Sequence, residues 1–208
     1  GPDSWSVSPS RLIGVCAALV SIATFTSILV HAEFLYRRAS VLDPLTGLLN
    51  RSGLPARFHE LTEQAALSGA AVGVIALDLD RFKAINDNHG HPVGDAVLKH
   101  AAYALSKSLR SFGLIYQMGG EEFLVLLPGA DLAKSIEVAE LLRGRLERLE
   151  PAGVHLTASL GVSAGRGAVL DLRALYDAAD AALYEAKRAG RNRVMAAGDP
   201  PTRALAAA

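Results

Sequence analysis

Cysteine is almost absent from this chain: Cys16 is the only one in 208 residues. A single thiol excludes an internal disulfide framework and any cysteine-based zinc site. Histidine does not fill that gap, because His89 and His91 have no third soft ligand beside them. Net charge is absent as well, since 21 basic side chains balance 21 acidic ones. A balanced chain is not a general nucleic-acid binder, so any attraction for polyphosphate must come from a few placed Lys and Arg. No internal repeat is present, and no charged residue occurs in residues 12–30.

As a helix, that uncharged run would cover roughly 28 Å, close to the roughly 30 Å hydrocarbon core of a bilayer. Apolar side chains fall all round it, which fits a membrane span better than an amphipathic surface helix. Two other readings stay open. One is a soluble helix buried in a dimer. The other is a signal peptide cut near Val30-His31-Ala32, for which Arg11 is a thin positive flank. Arg37 and Arg38 follow the run and favour a cytoplasmic C-terminal side. Gly1-Pro2 reads as the remnant of a cleaved tag, with the natural chain expected to begin further upstream.

A composition that is 50% hydrophobic and 20% charged suits one folded domain plus this apolar segment. The expected division is a tag remnant and flexible start at 1–10, a transmembrane or signalling helix at 11–40, a folded domain at 41–198 and a disordered Ala-rich tail at 199–208. Asp43-Pro44 marks the boundary, because the residue before a proline is pushed out of the helical region. Within the domain, a helix is expected over 52–67 with Ser52 as its N-cap. Residues 71–79 are almost continuously apolar and rich in Val and Ile, as in a strand covered on both faces. Helices are expected over 96–109, 131–150 and 171–189, and strands over 154–162 and 194–196. Helices interleaved with strands in this order predict an α/β fold with a mixed central sheet flanked by helices.

The chemistry concentrates at Gly119-Gly120-Glu121-Glu122-Phe123, between apolar runs at 113–118 and 124–127. A glycine pair supplies the positive φ angles of a tight hairpin turn, and the two acids beside it can hold a hard cation such as Mg²⁺. An ordinary hairpin with solvated Glu residues reads the same way. Asp78 and Asp80 close the 71–79 strand on one face if it continues that far, and Asp78 with Glu121 would make a cation site. Plain turn aspartates are the alternative. Asn86 offers a donor and an acceptor and Asp95 accepts two N–H donors, which matches the Watson–Crick edge of guanine. Asp95 also suits capping of the 96–109 helix. Lys187 and Arg191 stand at the end of the last helix, where basic residues serve the helix dipole or bind phosphate.

Taken together, Asp43-Pro44-Leu45-Thr46-Gly47-Leu48, Asp78-Leu79-Asp80 with Phe82-Lys83, Asn86-Asp87, Gly90-His91, Gly94-Asp95, the 119–123 motif, Ala182-Leu183-Tyr184, Lys187 and Gly190-Arg191-Asn192 resemble the GGDEF domain of diguanylate cyclases, in a Gly-Gly-Glu-Glu-Phe form. The resemblance covers about 41–197. It implies the GGDEF or nucleotidyl-cyclase fold and the condensation of two GTP into cyclic di-GMP and two pyrophosphates by a two-fold homodimer. By the matching motifs, Asp78, the carbonyl of Leu79 and Glu121 would bind Mg²⁺, with Mn²⁺ as a substitute. Asn86 and Asp95 would read guanine with His91 near the nucleotide, and Lys187 and Arg191 would hold the outer phosphates. Lys83 would stabilise the transition state, and Glu121 with Glu122 would assist removal of the 3′-hydroxyl proton. The implied location is the bacterial inner membrane, anchored through residues 12–30 with the catalytic domain in the cytoplasm, or the cytoplasm itself if that run is not a span.

Three positions depart from the family pattern. Arg110-Ser111-Phe112-Gly113 stands where an Arg-x-x-Asp product-inhibition motif is usual, Leu141 where a supporting Arg is common, and Gln117 where an Arg precedes the glycine pair. The first two predict weak product inhibition. Gln117 together with Gly113 motivates a second reading, a catalytically weak GTP- or cyclic-di-GMP-binding signalling module.

Overall fold

The computed structural model describes residues 9–39, 41–109, 113–167 and 170–198. Residues 1–8 of the expected flexible start at 1–10, the tail at 199–208 and Arg110 of the altered inhibitory motif lie outside the described residues, while Pro9 and Ser10 are helical. The chain divides into two compact units, Gly1–Ser40 and Val41–Ala208.

The first unit holds one helix, α1 (Pro9–Ala39). Its segment Ile13–Val30 has a mean hydropathy of 2.3 and is long and apolar enough to cross a membrane, by length and composition. Two of its hydroxyls are met within the helix. Thr24 Oγ1 donates to the Val20 carbonyl at 2.9 Å and Thr26 Oγ1 to the Ile22 carbonyl at 2.8 Å, so neither hydroxyl carries an unmet bond into an apolar surrounding.

The second unit is built on β2 (Ala71–Leu79), buried at every position. Among the described residues the sheet has six strands in the order β1-β3-β4-β2-β5-β6, with β1 (Leu49–Asn50), β3 (Leu114–Gly119), β4 (Glu122–Pro128), β5 (Ala158–Arg166) and β6 (Val194–Ala196). β1 runs parallel to β3 and β5 parallel to β6, while β2 is antiparallel to β4 and β5, and β3 to β4. The sheet is therefore mixed, as expected.

The helices are α2 (Leu54–Ser68), α3 (Phe82–His89), α4 (His91–Ser108), α5 (Leu132–Glu147) and α6 (Leu172–Arg188). The period of two along β2 sorts them into layers. Ile75, Leu77 and Leu79 pack with Phe82 and Ile85 of α3, Leu105 of α4 and Leu142 of α5. Val72, Val74 and Ala76 pack with Phe58 and Leu61 of α2 and with Ala179 and Leu183 of α6. Each buried Leu, Ile or Phe contributes roughly 1.5–3 kcal/mol against exposure. Asp78, next in the even series, therefore emerges on the α6 side at the end of the most buried strand.

Several boundaries differ from those expected. The segment after β1 opens with a 3₁₀ turn, Arg51–Gly53, and α2 begins at Leu54. Ser52 is not a cap: Asn50 caps the 3₁₀ turn, with an extended backbone and a side chain that accepts from the Ser52 N–H at 3.0 Å, while α2 itself follows Gly53 with no side-chain cap. Between β2 and the hairpin there are two helices instead of one, because Gly90 (φ 81°, ψ 159°) breaks the chain and Pro92 is tolerated in the first turn of α4. The strand expected over 154–162 is β5 at Ala158–Arg166. Its start follows the ladder with β2, which ends at Leu79 opposite Ala158, with one further backbone bond from the Asp80 N–H to the Thr157 carbonyl at 2.9 Å.

Candidate functional site

The hairpin between β3 and β4 places its tip differently from the expected glycine pair. Gly119 still belongs to the ladder, opposite Glu122, and the two turn residues are Gly120 (φ 54°) and Glu121. A register shift between Gln117 and Gly119 moves the tip along by one residue. Glu121 is thereby lifted onto the turn itself, and Glu122 is an exposed first residue of β4. The turn is braced from below: the Gln117 side chain, 7% exposed, donates from Nε2 to the Gly120 carbonyl, while its Oε1 is buried without a partner among the described residues.

The tip stands beside the end of β2. Asp78 lies opposite Glu122 in the ladder, and the Leu79 N–H donates to the Glu121 carbonyl at 3.3 Å. From the last turn of α6, Lys187 Nζ reaches Asp78 Oδ2 at 2.8 Å. Burial pushes the Asp78 carboxyl above the usual carboxylate range, Lys187 pulls it back, and the charges of Glu121 and Glu122 push it up again. Four of the residues singled out in the sequence, Asp78, Glu121, Glu122 and Lys187, thus meet in one electrostatic cluster. A recess of about 100 Å³ between α6 and the hairpin is lined by Glu122, Lys187, Tyr176, Asp180 and Tyr184. It is far smaller than the several hundred Å³ of an enclosed small-molecule pocket.

A second group forms at the corner of α3 and α4. Asn86 is half-buried with its Oδ1 against Gly94, where a Cβ would overlap it, so only glycine lets α4 approach the amide this closely. Asp95 follows on α4, exposed. Because α4 starts at His91, Asp95 sits inside the helix and is not its cap, which removes the capping alternative. His91 is exposed at the start of α4 and Lys83 is exposed on α3. Among the described residues no contact joins Lys83, Asn86, His91 or Asp95 to the Asp78 carboxylate.

Asp80 has a different fate from Asp78. It is 6% exposed, and its carboxylate accepts from Ser159 Oγ at 2.7 Å, Thr157 Oγ1 at 2.8 Å and the Asn192 N–H at 3.0 Å. Sequence reasoning gave Asp80 no such role. The available signal was Thr157 and Ser159, two hydroxyls two residues apart that share a face of a strand. Arg191, next to Asn192, is exposed in a left-handed backbone (φ 64°).

Among the described residues no group of three or more His, Cys, Asp or Glu side chains forms a metal cage. The Asp78 carboxylate, the Leu79 carbonyl and the Glu121 carboxylate are all hard oxygen donors, and burial together with the nearby charges of Glu121 and Glu122 raises Asp78, a cost that a divalent cation would relieve. The donor set therefore fits Mg²⁺, which usually keeps further positions for water or phosphate oxygens.

The chain is similar to known proteins over most of its length. The chain is 36% identical over 200 residues to the probable diguanylate cyclase DgcT of Escherichia coli K12, covering 93% of this chain and 43% of that protein. It spans less than half the length of the curated relatives it matches. The diguanylate cyclase SiaD of Pseudomonas aeruginosa, solved with its activator SiaC, superposes with a TM-score of 0.70 at 34% identity, covering 90% of this chain and 74% of that one. The active GGEEF domain of a Vibrio cholerae diguanylate cyclase does so with a TM-score of 0.69 at 32% identity, covering 73% of this chain and 99% of that one. The family model for the diguanylate cyclase GGDEF domain matches residues 40–193, and the chain belongs to that family.

Proposed function

We propose that the protein is a diguanylate cyclase that condenses two GTP into cyclic di-GMP as a two-fold homodimer. Each protomer holds one GTP. The 3′-hydroxyl of one attacks the α-phosphate of the other, a P–O bond forms, and pyrophosphate leaves, once for each phosphate. Asp78, the Leu79 carbonyl and Glu121 would hold Mg²⁺ or Mn²⁺, which when bound neutralises phosphate charge. Lys187 and Arg191 hold the outer phosphates, and Lys83 stabilises charge that develops on the transferred group. Glu121 with Glu122 takes up the 3′-hydroxyl proton. Asn86 and Asp95 bind the guanine edge, with His91 beside the nucleotide. Adenine has no N1 donor for the Asp95 carboxylate, so GTP is preferred to ATP.

The observation that carries this reading is the 2.8 Å pair between Lys187 and Asp78 beside the Glu121 turn, which gathers a phosphate-binding cation and two cation-binding carboxylates at one strand end. The same reading takes residues 12–30 as a membrane anchor that keeps the domain in the cytoplasm and raises the local concentration of partners. Incubation of purified protein with GTP and Mg²⁺, with chromatographic detection of cyclic di-GMP, is the test. GTP binding without any product would overturn the cyclase reading in favour of a receptor module.

A further inference from the structure

Asp80 lies two residues beyond the proposed cation ligand Asp78 and is saturated by protein donors. A carboxylate offers only acceptors, and here both oxygens are taken, Oδ1 by Ser159 and Oδ2 by Thr157 and by the main-chain N–H of Asn192. The third bond differs in kind from the others, because it pins a backbone. Asn192 is held at its side chain as well: Nδ2 donates to Glu147 Oε1 at 2.7 Å, and Oδ1 accepts from Arg143 Nη1 at 2.9 Å. Hydrogen bonding to Asn192 and Arg143 holds the Glu147 carboxyl below its usual value, so this partner stays ionised.

The segment so anchored is an uncommon one. Arg191 and Asn192 are successive non-glycine residues with φ of 64° and 45°, a left-handed conformation that L residues adopt only when their surroundings enforce it. Arg191 is fixed at its main chain, its N–H donating to Ala186 and its carbonyl accepting from Arg193 Nε, both at 3.0 Å. Its guanidinium makes no ion pair among the described residues. A rigid backbone with an unengaged guanidinium, at the end of the helix that carries Lys187, is an arm preset to meet an anion.

We infer that Asp80 and Asn192 are positioning residues, which hold the 190–193 segment in the conformation that aims Arg191 at the outer phosphates of the nucleotide. The inference rests on the cyclase reading for the identity of the anion. It also assigns the two aspartates of Asp78-Leu79-Asp80 separate tasks, the first toward the cation and the second toward the phosphate arm.

The test is a double-mutant cycle on GTP affinity, measured by calorimetry on the full chain. Asp80→Asn keeps the shape but turns one acceptor into a donor facing donors, and should weaken GTP about tenfold. In an Arg191→Ala background the same change should cost less than about twofold, since the arm is already gone. Mn²⁺ affinity, read by electron paramagnetic resonance, should be kept in Asp80→Asn. Equal losses in both backgrounds, or none in the presence of Arg191, overturn the inference. Because Asp80 is buried, a second pair of variants guards against a folding defect. Asn192→Ala should weaken GTP similarly, while Asn192→Gly, which like Ala keeps the N–H to Asp80 and loses the side-chain bonds but accepts left-handed backbone, should recover part of it. Equal affinity of these two variants counts against the inference. If Arg191→Ala binds GTP like wild type, the cyclase reading of Arg191 fails. Hydrogen exchange then judges the anchor alone: an Asn192 amide exchanging at least about tenfold faster in Asp80→Asn supports it, and an unchanged rate overturns it.

Discussion

The Lys187 ammonium and the Asp78 carboxylate, 2.8 Å apart, join the last turn of α6 to the end of β2. Lys187 thus sits on a carboxylate that the proposed mechanism gives to a cation. The two positive groups compete for one oxygen pair until phosphate draws the lysine away. Lys187→Ala should therefore tighten binding of Mn²⁺ alone by about twofold to fivefold, the worth of one partly exposed ion pair, while weakening GTP. Titration of Mn²⁺ into nucleotide-free protein by electron paramagnetic resonance checks this, and weaker Mn²⁺ binding in the variant contradicts it.

Burial, reinforced by Glu121 and Glu122 and opposed by Lys187, raises the Asp78 carboxyl above its ordinary value. The folded chain then binds this proton more tightly than the unfolded chain does. The stability involved is fully present below the unfolded value and is lost as pH rises through the raised folded value. Asp78→Asn, neutral throughout, should melt a few degrees above wild type near neutral pH. The advantage should fade in acid, where the wild-type carboxyl is itself protonated. The same variant should lose nearly all turnover, as should Glu121→Ala on the exposed turn. Thermal melts across the acid-to-neutral range, paired with cyclase assays, separate the two effects, and a less stable Asp78→Asn at neutral pH contradicts the first.

Gln117 is buried, holds the Gly120 carbonyl, and among the described residues leaves its own Oε1 without a partner. A buried acceptor left unmet costs roughly 1–3 kcal/mol. Gln117→Met removes that acceptor at similar volume, and water can reach the exposed Gly120 carbonyl in place of the amide. The melting temperature should be equal or higher, while kcat falls because the turn that carries Glu121 is no longer braced. A large loss of stability, or unchanged kcat, would show that the amide has another task.

At the altered inhibitory motif, Gly113 supplies no carboxylate, so cyclic di-GMP should bind there about ten- to a hundredfold more weakly than to a complete Arg-x-x-Asp site. A Cβ at Gly113 would stand 3.1 Å from Leu127 Cδ2 and 3.3 Å from Leu109 Cδ2, so the stem of a new side chain presses on two buried leucines. Gly113→Asp should gain product affinity at a cost of about 1 kcal/mol in stability. Calorimetric titration of cyclic di-GMP decides: submicromolar binding by wild type that vanishes in Arg110→Ala would mean the site works without the aspartate.

Local pattern was enough to find β2, because a strand buried on both faces needs apolar residues at every position, and Ala71–Leu79 supplies them. It was enough for α5 and α6, whose apolar periods and acidic caps at Asp131 and Asp171 are written within a few residues of each other. The linear motif also named Asp78, Glu121 and Lys187, since each stands in its own recognisable string. Where β5 begins is another matter: it is decided by where β2 ends, a partner far away in the chain. The hairpin tip moved from Gly119-Gly120 to Gly120-Glu121 because the register with β4, not the glycines, chose which residues close the turn. Asp78 and Asp80 read alike in sequence, two acids on one face of one strand end. Tertiary structure separated them, giving the first a lysine from α6 and the second a backbone N–H 112 positions away. A hydrogen bond acts over about 3 Å of space whatever the separation along the chain, so its partner can be known only once the fold has brought both ends together.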